Sequence, residues 1–343
     1  MYKLIIGLFA LLASHINLAA QTLFVDPVKG SDDATGTITA PLLSIVKAVE
    51  RAGKFTGEQP VTIKLLPGLH ILTGQVVLKP FKTKQDNQRF SIEAAIMPDD
   101  PNWLPSKMPV IQSISPNNKN WGSFDHCTGF QVERNNTCFR GLKFVGNTNP
   151  SVVYYYTIER HFPELKDMEV SQCLFVGNRN SAPIQGALFA QGGGIKVDHC
   201  IFYECKNALL LFLSVKGFSL TNSIIYGAYE GAIWFGKYSD FTFNNNVIAG
   251  NRCFWVGMKG FTPHYIFSNS LISDNTIFMG LNNNGVIEND TVTVPLTNNV
   301  QRSGKVLLQV VETDTVPKTY LHLAAGSAGG DIPAGLFGAT GRK

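Results

Sequence analysis

Four residues could bind or transform an anionic ligand if the chain brought them together: Arg179, Lys206, Tyr229 and Arg252. Each lies six positions after a small or polar residue that itself recurs, namely Cys173, Cys200, Ser223 and Asn246. Three cations and a phenol in one row are natural partners for uronate or sulfate groups. Arg supplies a two-pronged fork, Lys a point charge, and Tyr a ring that can stack on a sugar face. The same residue types also belong in an ordinary solvated turn, so their meaning depends on the elements that place them.

Glu204 and Glu230 lie beside this row. Two carboxyl groups about 6.5 to 9.5 Å apart could serve as acid and base in an inverting glycoside hydrolase. Isolated, they are salt-bridge partners of Lys206 and Arg252. A β-elimination uses other parts: a cation that neutralises a uronate carboxylate, and a base that takes the adjacent proton. On that reading Lys206 or Tyr229 is the base, and Arg179 and Arg252 clamp the carboxylate. Calcium can do the neutralising where clustered acids hold it, but the sequence has no tight Asp/Glu cluster, and neither a metal nor a cofactor is expected. Lys216, Lys237 and Lys259 form a second, looser basic series. The run VVYYYTIERHF at 152–162 reads either as a groove wall on an insertion or as an edge strand, and His264 with Tyr265 is a weaker candidate of the same kind. Asn135-Asn136-Thr137 and Asn289-Asp290-Thr291 match glycosylation sequons.

The elements that must position these residues repeat. Aligned on the polar residue before each apolar triplet, the segments are VSQCLFVGNRN, VDHCIFYECKN, LTNSIIYGAYEGAIWFG, FNNNVIAGNRCFWVG and FSNSLISDNTIFMG. The aligned residues are Gln172, His199, Asn222, Asn245 and Asn269. Gly141 begins the series and Asn298 continues it, with successive spacings of 31, 27, 23, 23, 24 and 29. Such a period marks a stacked architecture. Within each unit, Cys173 and Phe175, Cys200 and Phe202, or Ser223 and Ile225 lie two apart, which is strand periodicity. A short turn and a second apolar strand follow, as in ALFA, ALLLF, AIWF and CFWV. About 23 residues suit one coil of three short strands. Coils stacked in register bring equivalent strands within about 4.8 Å, so Asn222, Asn245 and Asn269 would pile up as an amide ladder at a tight bend.

On these repeats, and on the opening TLFVDPVKGSDDATGTITAPLLSIVKAVERAG at 22–53, the chain resembles the pectin-lyase-like superfamily of right-handed parallel β-helices. The resemblance covers essentially the whole chain after residue 20. It implies an all-β solenoid with an N-terminal capping helix. Pro41 is expected in that helix's first turn and Gly53 at its end, with Leu42, Ile45, Val46 and Val49 as its apolar face. VTIKLLPGLHIL and RFSIEAAIMP read as the first coils, and 320–339 as the family's C-terminal tail. In this superfamily substrates lie across the second apolar strand and its neighbouring turns, where the basic row falls. The Asn-Thr-Asp, Asp-Asp, Gly-His-Gly and Arg-Ile-Lys set of polygalacturonases is missing. So are the Arg-x-Pro-x-x-Arg and calcium aspartates of the best-known pectate lyases. The fold itself hosts lyases, hydrolases, esterases and inert fibres.

Bulk composition agrees. The chain is 44% hydrophobic with 32 glycines, and only 16% of residues are charged, below the usual quarter. Residues 1–20 read as a secretory signal, with Lys3, an apolar stretch from Leu4 to Ala13, and small residues before Gln21. Its removal lowers the formal charge from +4 to +3, too little and too scattered for a nucleic-acid partner. No further stretch is apolar enough to span a membrane. The six cysteines form no CxxC pair. Cys127 with Cys138 is the disulfide pair to test, while Cys173 and Cys200 read as stacked, inward, unreactive thiols. The expected organisation is signal 1–20, strand and capping helix 21–60, β-helix 61–320 and tail 321–343. The expectation is a monomer, secreted to the periplasm or outside the cell, that binds and cleaves a polysaccharide, acidic rather than neutral, by a lyase in preference to a hydrolase mechanism. Its alternative is a non-catalytic glycan-binding or surface-structural β-helix.

Overall fold

The structure of the chain, a computed structural model, describes residues 21–81, 87–120, 124–212, 214–234, 240–260, 265–283, 286–289, 296–315 and 319–337. Residues 1–20, Lys237, His264 and the second sequon's Asp290 and Thr291 lie outside the described residues. The coil at 195–211 shows the construction rule. Strand Ile195–Asp198 ends in a bend at His199, strand Ile201–Tyr203 ends in a bend at Glu204, and strand Asn207–Leu211 completes the turn. Each strand pairs in parallel with its copies one coil away. Val197 lies between Val170 and Leu220, Phe202 between Phe175 and Ile225, and Leu209 between Leu188 and Ile233. Parallel strands joined by such crossovers wind right-handed. The three strands give the solenoid three faces, numbered here in that order.

Val197, Phe202 and Leu209 point inward and are buried. In register, like side chains meet like: Phe144, Phe175 and Phe202 stack with centroids 4.8 Å apart at each step. The first bend holds its residue at positive φ throughout: Gly141 at 67°, Gln172 at 52°, His199 at 50°, Asn222 at 51°, Asn245 at 57° and Asn269 at 47°. Ordinary side chains lose roughly 1–2 kcal/mol there, while Gly and Asn tolerate it. The file ends one residue later than the sequence alignment has it. Asn298 pairs with Ser268, and Asn299, at φ 54°, takes the bend.

The bend amides form a ladder with one slip. Asn222 donates to Asp198 at 2.8 Å and Asn245 to Asn222 at 3.0 Å. Asn269 then donates to Asn244 at 3.0 Å, and Asn299 to Asn269 at 2.9 Å. Just inside runs a second polar file. The Ser223 hydroxyl accepts the Cys200 N–H at 3.1 Å, Asn246 Oδ1 accepts the Ser223 N–H at 3.0 Å, and the Ser270 hydroxyl accepts the Asn246 N–H at 3.0 Å. Cys173 and Cys200 continue this file as thiols.

All six cysteines are free and buried. Cys127 and Cys138 are not a disulfide, because they belong to strands of different faces, Asp125–Val132 and Thr137–Arg140. Cys127 Sγ packs against the Ser113 hydroxyl and the Asn147 amide, and Cys138 Sγ against Arg89. Burial pushes the thiols of Cys138 and Cys253 up to about 12.

The capping helix runs Ile45–Ala52, with Ser44 as N-cap accepting the Lys47 N–H and Gly53 as C-cap. Pro41 precedes the helix rather than lying in its first turn. The buried face is Ile45, Ala48 and Ala52 with Val49 packed beside it, whereas Val46 is exposed. Leu42 is buried ahead of the helix, bridged to Val25. The strand Gln21–Val25 pairs with Val61–Leu65, so the solenoid begins there, and its last strand is Leu296–Gln301. The chain then folds back. Leu321, Ile332, Leu336 and Phe337 cover the outer side of the second face at Leu174, Ile201, Ile224 and Val247.

Replacing Asn246 by Ala strands the Ser223 N–H and the Leu220 carbonyl. The expected loss is roughly 2–4 kcal/mol of unfolding free energy, read as a lower urea midpoint; a loss below about 0.5 kcal/mol would contradict the polar file's role. Thiol titration should find no reactive cysteine in the native protein and six after denaturation.

Candidate functional site

The third face is built from strands that include Tyr155–Arg160, Gly186–Ala190, Asn207–Leu211, Gly231–Trp234 and Cys253–Met258. Asn207 pairs with Gly231, and Ile233 with Trp255. Backbone bonds fix the residues just before these strands. Lys206 N–H reaches the Ile184 carbonyl at 2.8 Å, Tyr229 N–H the Cys205 carbonyl at 3.2 Å and Arg252 N–H the Ala228 carbonyl at 2.8 Å, so Gln185, Lys206, Tyr229 and Arg252 stand in one strip.

Lys206, Tyr229 and Arg252 of the equally spaced row belong to this strip, and Arg179 does not. Arg179 projects on an exposed turn between the bridged residues Asn178 and Ala182, and the extra chain there hands its place to Gln185. Glu230 is one residue extra before Gly231: its N–H and that of Gly231 both reach the Lys206 carbonyl, at 3.0 and 3.3 Å. Arg179 and Tyr229 meet all the same, with the guanidinium carbon 4.5 Å from the ring centre.

Lys206 Nζ is 3.6 Å from Glu230 Oε1, with 29% and 24% of the two side chains exposed. The other carboxylate oxygen accepts from the buried Asn207 amide at 2.7 Å, and Asn207 Oδ1 accepts the Trp234 indole N–H at 2.7 Å. Lys206 Nζ also lies 5.8 Å from the Tyr154 ring centre. Two glycines let side chains close onto the backbone beside this network. A Cβ on Gly186 would fall 2.5 Å from Leu210 Cδ1 and 3.0 Å from Tyr156 Cδ1, and one on Gly231 would fall 2.7 Å from Trp234 Nε1. The rings of Tyr156 and Trp234 thus lie over bare backbone on either side of Asn207, and Phe189 and Leu210 continue the apolar side.

Glu204 and Glu230 do not form a pair. Glu204 occupies the second bend at φ 51° and engages Tyr203 of the second face, whereas Glu230 opens a third-face strand. Burial, the Cys205 thiol and the Glu230 charge push the Tyr229 phenol up, against the pull of Arg179. Tyr229 is therefore a neutral hydroxyl at ordinary pH, fit to give a proton rather than take one.

The run 152–162 is a regular strand, not an insertion. Tyr155 enters the core, and Arg160 is wholly buried, donating to the Gln191 and Gly193 carbonyls at 2.8 and 2.9 Å. Glu159 faces outward yet is buried; it accepts from the Thr128 hydroxyl and lies 3.5 Å from His126 Nε2. Tyr265 is core, stacked 4.5 Å from Trp255. Lys216 and Lys259 are exposed on loops leaving the opposite strand ends from Lys206. Asn135 of the first sequon accepts the Lys166 N–H at 2.8 Å. Among the described residues no cluster of His, Cys, Asp and Glu could hold a metal, and no helix is long and apolar enough to cross a membrane. The sequence carries no signal that joins Asn207 to Tyr156 and Trp234, beyond the shared first places Gly, Asn and Gly of GALFA, NALLL and GAIW.

Known structures share this architecture. A rhamnogalacturonan lyase superposes with TM-score 0.53 at 13% identity, over 76% of this chain and 70% of that one. The rice weevil pectin methyl esterase gives TM-score 0.49 at 12% identity over 80% and 90%, and the pectate lyase Pel9A gives 0.45 at 14% over 90% of each. No protein-family model and no curated sequence matches the chain. At 13% identity the likeness to the rhamnogalacturonan lyase carries the fold alone.

The Asn207 network should be cooperative. Asn207→Ala and Trp234→Phe, singly and together, are expected to show a coupling of about 1 kcal/mol or more in denaturant unfolding. Strict additivity would mean that the indole–amide–carboxylate chain does not form.

Proposed function

We propose that this chain, whose fold is the right-handed parallel β-helix of pectin-lyase-like proteins, binds an acidic polysaccharide along the third face and cleaves it by β-elimination. Exclusion of the other faces supports the location. The second face is covered by the C-terminal segment. On the first face, Lys64, Glu93, Arg140, Glu169 and Arg89 close a chain of ion pairs among themselves, with N–O distances of 2.8 to 4.0 Å. Among the described residues the third face combines the partly exposed rings of Tyr154, Tyr229 and Trp234 with the cations Lys206 and Arg252. A sugar chain along the axis advances about 5 Å per residue, close to the ~4.8 Å between neighbouring coils.

The observation that carries the reading is the Lys206–Glu230–Asn207–Trp234 network. Lys206 and Arg252 neutralise uronate carboxylates, with Arg179 reaching in from its turn. Glu230, the carboxylate beside Lys206, takes the proton next to a uronate carboxylate. The electrons of that C–H bond form the ring double bond and the glycosidic C–O bond breaks. The leaving oxygen takes the proton of Tyr229, which burial keeps protonated. The proton gained by Glu230 then passes through water to the Tyr229 phenolate, which restores both groups. A polysaccharide substrate also fits the secretion that residues 1–20 predict.

Lys206→Ala with Arg252→Ala should weaken binding of an acidic glycan at least tenfold, about 1.4 kcal/mol, in affinity electrophoresis. Glu230→Gln should abolish the ultraviolet absorbance of unsaturated sugar ends while leaving binding measurable. Because the Tyr229 value is raised, activity should hold through mildly alkaline pH, failing only above roughly pH 10. Tyr229→Phe should lower kcat at least tenfold with little change in KM. Binding without any cleavage would reduce the protein to a glycan binder, and binding unchanged in the double variant would reject the strip as the site.

A further inference from the structure

The chain that returns over the second face is fastened to itself by one imidazole. In residues 319–337, Leu321, Ile332, Leu336 and Phe337 pack over Leu174, Ile201, Ile224 and Val247. His322, near the start of this strap, is only 5% exposed. Its Nδ1 lies 3.0 Å from the Tyr320 carbonyl, and its Nε2 lies 2.9 Å from the Leu336 backbone nitrogen. A carbonyl only accepts and a backbone N–H only donates, so Nδ1 carries the proton and Nε2 offers its lone pair. The ring is neutral in this arrangement. Phe337 stacks on it with centroids 4.7 Å apart and planes 3° from parallel. Gly335, at φ 126°, lets the backbone come this close, since a Cβ there would fall 2.2 Å from the ring's Cδ2. Two further bonds hold the same end of the strap. The Gln172 amide donates to the Leu336 carbonyl at 3.1 Å, and the Gly335 N–H to the Asn222 carbonyl at 2.9 Å.

We infer that residues 319–337 are an acid-released strap, locked over the second face by neutral His322 and loosened when that ring takes a second proton. A proton on Nε2 would point an N–H at the Leu336 N–H. One hydrogen bond is lost, and two donors face each other inside apolar packing. Loosening returns the ring to water, where an imidazole takes a proton near pH 6.5. The loosened form therefore binds the extra proton and the docked form does not. Docking is fully kept above about pH 6.5 and weakens as the pH falls. Other charged and titratable groups stand on the elements packed around the strap. Lys143 of the second face pairs with Glu312 at 2.7 Å, and His199 at the first bend with Asp198 at 2.8 Å. Asp314 accepts from Ser106, and Asp331 and Lys305 are exposed. Asp100 and Lys107 stand on the turn of Trp103, which meets Phe337 edge-on at 5.4 Å. Tyr203 and Tyr226 stack on each other, and burial, Glu312 and Tyr203 push the Tyr320 phenol up to about 12. His199 is the one other imidazole among these groups, the side chain type that changes charge between about pH 5 and 8, so it serves as the control.

Amide hydrogen exchange of the full chain, corrected for its intrinsic pH dependence, reads the strap directly. Between about pH 7.5 and pH 5.0, above the range where ordinary carboxylates titrate, the opening constant of residues 334–337 should rise roughly thirtyfold. The core strand Ile201–Tyr203 should stay within about threefold over the same range. His322→Gln keeps an oxygen that can accept the Leu336 N–H but takes no proton, so the rise should shrink below about threefold. His199→Asn, which suits the positive φ of its bend, should keep the full rise. A wild-type opening constant that does not change, a rise that survives in His322→Gln, or one that vanishes in His199→Asn overturns the proposal. Should His322→Gln leave the strap loose at both pH values, nitrogen NMR of the wild-type imidazole decides. At neutral pH a proton on Nδ1 and none on Nε2 is expected, and a proton on Nε2 overturns the lock.

Discussion

Everything in this molecule depends on coils that stack in register, and register is enforced at the first bend. A left-handed backbone residue recurs there from Gly141 to Asn299. The position accepts little besides Gly, Asn and a few polar residues without strain. Their amides reach along the axis to the neighbouring coil, and the file of Ser and Asn just inside ties the backbone N–H of one coil to the side chain of the next. Each such bond has a modest net value of about 1 kcal/mol. A coil slipped by one residue would lose its bonds and turn its core side chains outward together.

Register turns a one-dimensional sequence into columns, and the columns give the three faces different fates. The second face presents Leu174, Ile201, Ile224 and Val247 outward, a surface too apolar to leave bare, and the returning C-terminal segment covers it. The first face presents carboxylates and cations in alternation, and they satisfy one another. The third face presents glycines, aromatic rings and a short polar strip. Its charges pair incompletely and its rings lie over empty backbone, so it is the face whose groups still have hydrogen-bonding and stacking capacity to give to a ligand.

The first two strands of each coil and the bend between them were legible in the sequence, since their spacing is nearly rigid from Gln172 to Asn269. The third strand was legible as a strand but not in register. Counting forward from the bend fails where the second turn grows long: the turn at 178–182 carries Arg179 away, while the residue added at Glu230 leaves Tyr229 between Lys206 and Arg252. Of the row of three cations and a phenol, Lys206, Tyr229 and Arg252 share a strip and Arg179 does not. Pro41 and Leu42 fall outside the helix because Ser44 caps it and fixes where it starts, and Val46 lies inside it but on the exposed side. The packing of rings on glycines was hidden for a different reason. A glycine's significance lies in which ring covers it, and Tyr156 comes from a neighbouring coil.

Hydroxyl-radical footprinting with a bound acidic oligosaccharide tests the central claim most directly, because aromatic side chains on different faces report separately. The account predicts that Tyr154, Tyr229 and Trp234 become shielded, while Tyr203 and Tyr226, which stack 6.2 Å apart on the second face, keep their reactivity. Shielding of Tyr203 and Tyr226 with the third-face rings unchanged would contradict it.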